Sequence, residues 1–138
     1  MSVDNCIFCK IAAGEIPSRK IYEDKDLIAI MDLSPTSKGH SLIIPKEHYT
    51  NIYDIDEEIA GKVMKTAKKL ATKMTVALNC DGFNLLQNNG ETAGQTMFHF
   101  HMHLIPRYKD ADNNMLKFTS VSFSDEEMDS IRDQIIKD

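Results

Sequence analysis

Between Phe98 and Ile105 the chain reads FHFHMHLI, a strict alternation of histidine with apolar side chains. A strand turns successive side chains to opposite faces. His99, His101 and His103 are therefore expected on one face, and Phe100, Met102 and Leu104 on the other, where they can join a core. Alternate residues lie about 6.6 Å apart along a strand, so three imidazoles can line one site without clashing.

The rest of the chain supplies the neighbours that such a strand needs. Cys6–Ala13 reads as a short helix, stopped by Gly14 with Pro17 soon after. Lys20–Glu23 and Leu27–Met31 read as strands joined tightly at Asp24–Asp26, and His40–Ile44 as a strand ended by Pro45. MDLSPTSKGH between them is a loop by composition. A long helix is expected from Asp56 to Leu78, with Ile59, Val63, Ala67, Leu70, Met74 and Ala77 on one stripe and Asp54 and Glu57 as its cap. Lys62, Lys65, Lys68, Lys69 and Lys73 lie off that stripe and read as a solvated face. Phe83–Gln87 and Phe98–Ile105 complete five strands, separated by the polar loop NNGETAGQT. A last helix follows Ser124, with Glu127 closing a capping box and Met128, Ile131 and Ile135 facing inward. The order predicts an α+β domain with an antiparallel sheet, one long helix and one C-terminal helix.

The 138 residues suit one domain, and 42% hydrophobic with 27% charged residues is ordinary for a globular chain. The net charge of −5 argues against a broad nucleic-acid footprint, which needs a basic face. It leaves room for a small phosphate pocket built from backbone N–H groups and a few side chains. The N-terminus MSVDNC has no apolar core of a secretory signal, and no run approaches a membrane span. Three cysteines, two of them close together, do not form a secreted disulfide framework. The expectation is a cytoplasmic protein with no membrane partner.

Imidazole suits nucleophilic work near neutral pH, because its ordinary pKa lies near 6.5 and one ring nitrogen attacks while the other is held by an acceptor. Attack at phosphorus gives an adduct that water opens in a second step. Gly94, Gln95 and Thr96 stand just upstream as a flexible backbone with polar donors for the phosphoryl oxygens. Two other readings of the histidines stay open: a three-histidine zinc centre, and plain surface histidines on a solvated strand. Cys6 and Cys9, spaced C-x-x-C, can hold one zinc between two thiolates; a redox pair or two buried thiols are the alternatives. Cys80 reads as a small, partly buried side chain.

The His99–Ile105 pattern, with Asn88 and Gly94-Gln95-Thr96 before it, resembles the signature of the histidine-triad (HIT) family. IFCKI, GEIPS, YED, MDLSP and GHSLIIPKEH, in that order, resemble its N-terminal half, closest to the bacterial Hint-like branch. The resemblance covers a motif-bearing core of about 5–107 within a single domain of 1–138 and weakens over a variable C-terminal segment, 108–138. It implies a homodimer with one continuous sheet, acting as a hydrolase or transferase at the α-phosphate of purine nucleotides such as adenosine phosphoramidates. A dinucleoside polyphosphate hydrolase, a zinc hydrolase and a nucleotide-binding scaffold are the rivals.

By the same resemblance, His101 is the nucleophile, His103 contacts the phosphate and assists the leaving group, and His40 supports the triad. Asn88, Gln95 and Thr96 surround the phosphate, Asp32 holds the ribose, and Ile7, Phe8, Ile11 and Leu33 wall the base. Relatives with the cysteine pair resemble zinc binders, which here implies Cys6, Cys9, His48 and His99 around a structural zinc and no catalytic cofactor. Thr96 departs from the serine of many Hint-like relatives; it keeps the hydroxyl and adds a methyl on the leaving-group side.

Overall fold

The computed structural model describes residues 4–111 and 117–138, so residues 1–3 and 112–116 of the expected domain and variable segment lie outside it. Five strands form one antiparallel sheet: β1 (Lys20–Glu23), β2 (Leu27–Met31), β3 (Ser41–Pro45), β4 (Gly82–Leu86) and β5 (Met102–Arg107), in spatial order β1-β2-β3-β5-β4. Three α-helices accompany it: α1 (Ile7–Ala12), α2 (Glu57–Leu78) and α3 (Asp125–Ile136).

Leu27–Met31 of β2 and Leu42–Pro45 of β3 are apolar without a break because both of their faces are covered. Leu27, Ala29 and Ile43 turn to one side with Val63, Ala67, Leu70 and Met74 of α2. Ile28, Ile30, Leu42 and Ile44 turn to the other with Phe8 of α1. Phe100, Met102 and Leu104 join the α2 side. That alternation sends the intervening histidines toward α1.

Several boundaries differ from the sequence reading. The final strand starts at Met102, not Phe98, so His99 and His101 precede the ladder. The cause is local: the His99 carbonyl is taken by the His101 ring, and the Phe100 N–H donates to the Tyr49 carbonyl. His40 closes the preceding turn and β3 starts after it, with its N–H on the Ser37 carbonyl. The cap of α2 is Asp56, whose carboxylate accepts the Ile59 N–H, while Asp54 accepts the Thr50 and Asn51 N–H groups instead. Ala77 is exposed rather than buried. Gly39 has a φ of +92°, and a Cβ there would run into Leu78, so this glycine lets the loop before β3 close over the end of α2.

The capping box of α3 is present as expected, but its apolar stripe does not face inward. Met128, Ile131 and Ile135 are all exposed, and no residue of the helix is buried among the described residues. Lys62 is not merely solvated: it pairs with Asp26 at 2.7 Å and Asp24 at 3.3 Å, pinning α2 to the β1–β2 turn.

Candidate functional site

The three histidines stay on the α1 side although only His103 lies within the ladder. His103 is opposite Leu42 on β3 and Leu86 on β4, which fixes its direction. The His101 ring lies 4.9 Å from that of His103 and 5.1 Å from the Phe8 ring, edge-on to both. Phe8 also meets His99 edge-on at 5.9 Å. One aromatic side chain of α1 thus packs against two triad members.

Hydrogen bonds to groups of known polarity assign each tautomer, because a carbonyl only accepts and an N–H only donates. His101 Nδ1 lies 2.8 Å from the His99 carbonyl, so Nδ1 carries the proton and Nε2 keeps its lone pair. His99 Nε2 lies 2.7 Å from the Pro45 carbonyl, so here Nε2 carries the proton and Nδ1 is free. His40 Nδ1 accepts the Thr36 N–H at 3.0 Å, which places its proton on Nε2. That proton points to His103 Nδ1 at 2.9 Å, leaving His103 with a donor at Nε2. The result is a directed chain from the Thr36 backbone through His40 to the outer edge of His103.

Burial favours the neutral ring at each position. It lowers the pKa of His101 and His40, and lowers those of His99 and His103 to about 4. Neighbouring histidines contribute to the last two shifts, while the Asp32 carboxylate opposes the shift at His40, His101 and His103. Asp32 Oδ2 sits 3.6 Å from His40 Nε2, and its Oδ1 accepts the Ser34 N–H. Asp32, His40 and His103 are close enough to suggest a metal group, but the proton on His40 Nε2 is directed to His103 Nδ1, which makes the two histidines a hydrogen-bonded pair with the Asp32 carboxylate beside them.

The free Nδ1 of His99 faces the two thiols, at 3.3 Å from Cys6 Sγ and 3.5 Å from Cys9 Sγ. His48 Nδ1 lies 3.4 Å from Cys9 Sγ, and all four ligand atoms fall within 4.8 Å of one another. A tetrahedral zinc with its usual Zn–S and Zn–N bonds needs S···N edges of about 3.5 Å. The donor set fits that geometry. Cys6 caps α1 as well, its sulfur accepting the Cys9 N–H at 3.3 Å.

Ile7, Ile11 and Leu33 line one cavity of about 440 Å³, and Ile16, Pro17 and Ile30 complete its apolar wall. Leu33 is 84% exposed, so it is available to a ligand and contributes nothing to the core. Asn88 and Gly94 are neighbours, with Asn88 Nδ2 3.5 Å from the Gly94 carbonyl, and Gly94 takes a φ of +97°. Thr96 is exposed. Gln95 differs from its expected place at the phosphate. Its amide is buried and donates to the Thr50 and Met97 carbonyls at 2.7 and 3.0 Å, while its oxygen accepts the Gly90 N–H at 2.8 Å. It holds the loop together and turns away from solvent.

The sequence reading missed the Pro45 and His99 carbonyls and the Thr36 N–H, which set the tautomers. Backbone groups carry no sequence signal, so no motif could have named them.

Comparison with known proteins agrees with the motif. The HIT domain family model matches residues 13–110. Protein hit of Bacillus subtilis is 43% identical over 97% of this chain and 94% of its own, and a solved structure of a Bacillus subtilis HIT family member overlaps 97% of this chain and 96% of its own with a TM-score of 0.91. Adenosine 5'-monophosphoramidase hnt1 of Schizosaccharomyces pombe is 37% identical over 95% of this chain and 96% of its own. A zinc-bound histidine triad family protein from Mycobacterium smegmatis is 31% identical, with a TM-score of 0.75 over 92% of this chain and 97% of that one. With its motif, five-stranded antiparallel sheet and these relatives in agreement, the chain belongs to the HIT family.

Proposed function

We propose that this protein hydrolyses or transfers at the α-phosphate of purine nucleotides, adenosine phosphoramidates or related adenylates, through a nucleotidyl-His101 intermediate. The observation that carries the reading is the unprotonated Nε2 of His101, left free by the Nδ1–H bond to the His99 carbonyl. The base packs against Ile7, Phe8, Ile11 and Leu33, and the ribose hydroxyls bind Asp32. His101 Nε2 forms the new N–P bond as the bond from phosphorus to the leaving group breaks in line. The leaving amine takes the proton that His103 carries at Nε2, the end of the chain set by Thr36 and His40. Water then opens the N–P bond, its proton returning to His103 Nε2, and the monophosphate leaves.

Asn88, Gly94 and Thr96 serve the phosphoryl oxygens. Gln95 serves them through the loop it holds. Cys6, Cys9, His48 and His99 hold a structural zinc, supported by the fit of their donor atoms to a tetrahedron. No catalytic cofactor takes part. The working form is a cytoplasmic homodimer, in keeping with the family resemblance.

The test is a single-turnover reaction with an adenosine phosphoramidate, acid-quenched and read by intact-protein mass spectrometry. Wild type is expected to carry one AMP, absent from His101→Ala and His101→Gly. Turnover without an adduct, abolished by chelation and restored by zinc, would overturn the covalent reading.

A further inference from the structure

Cys6 and Cys9 both belong to the first turn of α1, while the imidazoles that face them come from elsewhere: His48 follows β3 and His99 precedes β5. All three cysteines are thiols, with Cys6 half-buried and Cys9 only 4% exposed. Cys6 is the N-cap, and its sulfur accepts the Cys9 N–H at 3.3 Å. Residues three apart on a helix have Cα atoms about 5 Å apart, inside the range of roughly 4.4–6.8 Å that a disulfide spans. The two sulfurs can therefore bond to each other with little movement of the backbone.

The helix that carries them also builds the nucleotide wall. It sends Ile7 and Ile11 into the cavity of about 440 Å³ and sets Phe8 edge-on to His101. With 6 residues it is too short to persist in water without packing. Phe8 seats it on Ile28, Ile30, Leu42 and Ile44. The thiol–imidazole cluster ties its first turn to the sheet at two further points, His48 and His99.

We propose that Cys6 and Cys9 form a reversible dithiol–disulfide switch, oxidised by a hydroperoxide, that unlatches α1 from the sheet and loosens the nucleotide site. The more accessible Cys6 thiolate attacks one peroxide oxygen as the O–O bond breaks, giving a sulfenic acid and hydroxide. The Cys9 thiolate then attacks the Cys6 sulfur, and the S–S bond forms as the S–O bond breaks and a second hydroxide leaves. Each sulfur gives up one electron, the peroxide takes both, and two protons from solvent turn the hydroxides into water. The new bond closes within α1, so the ties to His48 and His99 are lost in one event. Two imidazoles are half of the four-ligand set of a structural zinc, and the site no longer holds the metal. A dithiol reductant returns the two electrons and restores the latch. The latch rests on the zinc reading proposed above; the sulfur chemistry does not.

The experiment treats full-length protein and its Cys80→Ser variant, which lacks the thiol outside the cluster, with hydrogen peroxide and then with dithiothreitol and zinc. Both proteins are expected to lose about 2 Da and to yield a peptide linked through Cys6 and Cys9. Zinc should be released in step, read with a chromogenic chelator, and amide exchange over residues 7–12 should quicken. The AMP dissociation constant, measured by calorimetry, is expected to rise about tenfold as one apolar wall loosens. Every change should reverse on reduction. Oxidation that stops at sulfinic or sulfonic acid, a disulfide made through Cys80, or a Cys6–Cys9 bond with unchanged exchange in α1 would each overturn the proposal. Reduced protein isolated without zinc would instead sink the zinc reading, and reduced protein that ignores AMP would sink the proposed function. In either case the linked peptide and the exchange over residues 7–12 still decide the switch.

Discussion

His99 and His101 are two residues apart, both buried and both edge-on to Phe8, yet they present opposite nitrogens. At His99 the Pro45 carbonyl holds the Nε2 proton and turns Nδ1 toward the thiols of Cys6 and Cys9. At His101 the His99 carbonyl holds the Nδ1 proton and leaves Nε2 free. The same side chain thus turns Nδ1 to two thiols in one place and keeps an unprotonated Nε2 in the other, which is what the proposed metal and nucleophile roles require. The carbonyl that each ring meets makes the difference. His99 also joins the two regions, since its ring belongs to the cysteine cluster while its carbonyl orients His101.

The sharpest way to break this contrast is to exchange the effects of the two residues. His101→Ala is expected to lower kcat by about 10⁴-fold or more with little change in melting temperature. His99→Ala should instead lose metal and stability together. Metal analysis, thermal melts and steady-state kinetics on both variants decide between them. If His99→Ala kept its metal and its melting temperature, the division of roles would fail.

The relay into His103 is the next most sensitive part. His40→Ala removes the donor that fixes the His103 tautomer, and kcat is expected to fall about 10²-fold with KM nearly unchanged. A fall in affinity with kcat intact, measured over a full substrate range, would reassign His40 to binding.

Chelation should act on stability more than on chemistry. With the proposed zinc at Cys6, Cys9, His48 and His99, stripping it is expected to lower the melting temperature by about 10 °C. Below that melt, the AMP adduct should still form. Cys9→Ser should mimic the chelator, and loss of the adduct in a still-folded, metal-free protein would show that the two regions do not separate.

The smallest expected effect is on the pH dependence of folding. Burial lowers the His103 pKa to about 4, against about 6.5 for an unfolded histidine. Between those values the unfolded chain binds the extra proton, so stability rises with pH. The contribution is complete above about pH 6.5 and is lost as pH falls toward 4. The urea midpoint should therefore be lower at pH 5 than at pH 7.5, and His103→Gln should shrink that difference. An unchanged difference would place the titration elsewhere.

Much of the fold was legible because its signals are periodic or local. The unbroken apolar runs of β2 and β3, the stripe on α2 and the Ser124–Glu127 box each correspond to an element found. What misled was the assumption that an apolar stripe faces the chain's own core: α3 has the stripe and no core to meet. The expected strand over Phe98–Ile105 failed at its start for a similar reason, since the His99 carbonyl serves a side chain instead of the ladder. Among the candidate site residues, His99, His101, His103, Cys6 and Cys9 announced themselves by spacing, whereas His40 and His48 came from the family resemblance. Gln95 stood in the right segment, but its amide is used inside the loop.

The sequence by itself determined that three histidines would share a side, that an apolar set would oppose them, and that two thiols would sit one helical turn apart. Those follow from the alternation of extended backbone, which continues ahead of β5 through His99 and His101, and from the pitch of a helix, both properties of consecutive residues. Only the tertiary structure decided that Cys6, Cys9, His48 and His99 converge, that Thr36 and His40 direct the His103 proton, and that His99 and His101 offer different nitrogens. These outcomes depend on backbone carbonyl and N–H groups brought together from distant parts of the chain, and every residue carries those groups alike, proline lacking only the N–H.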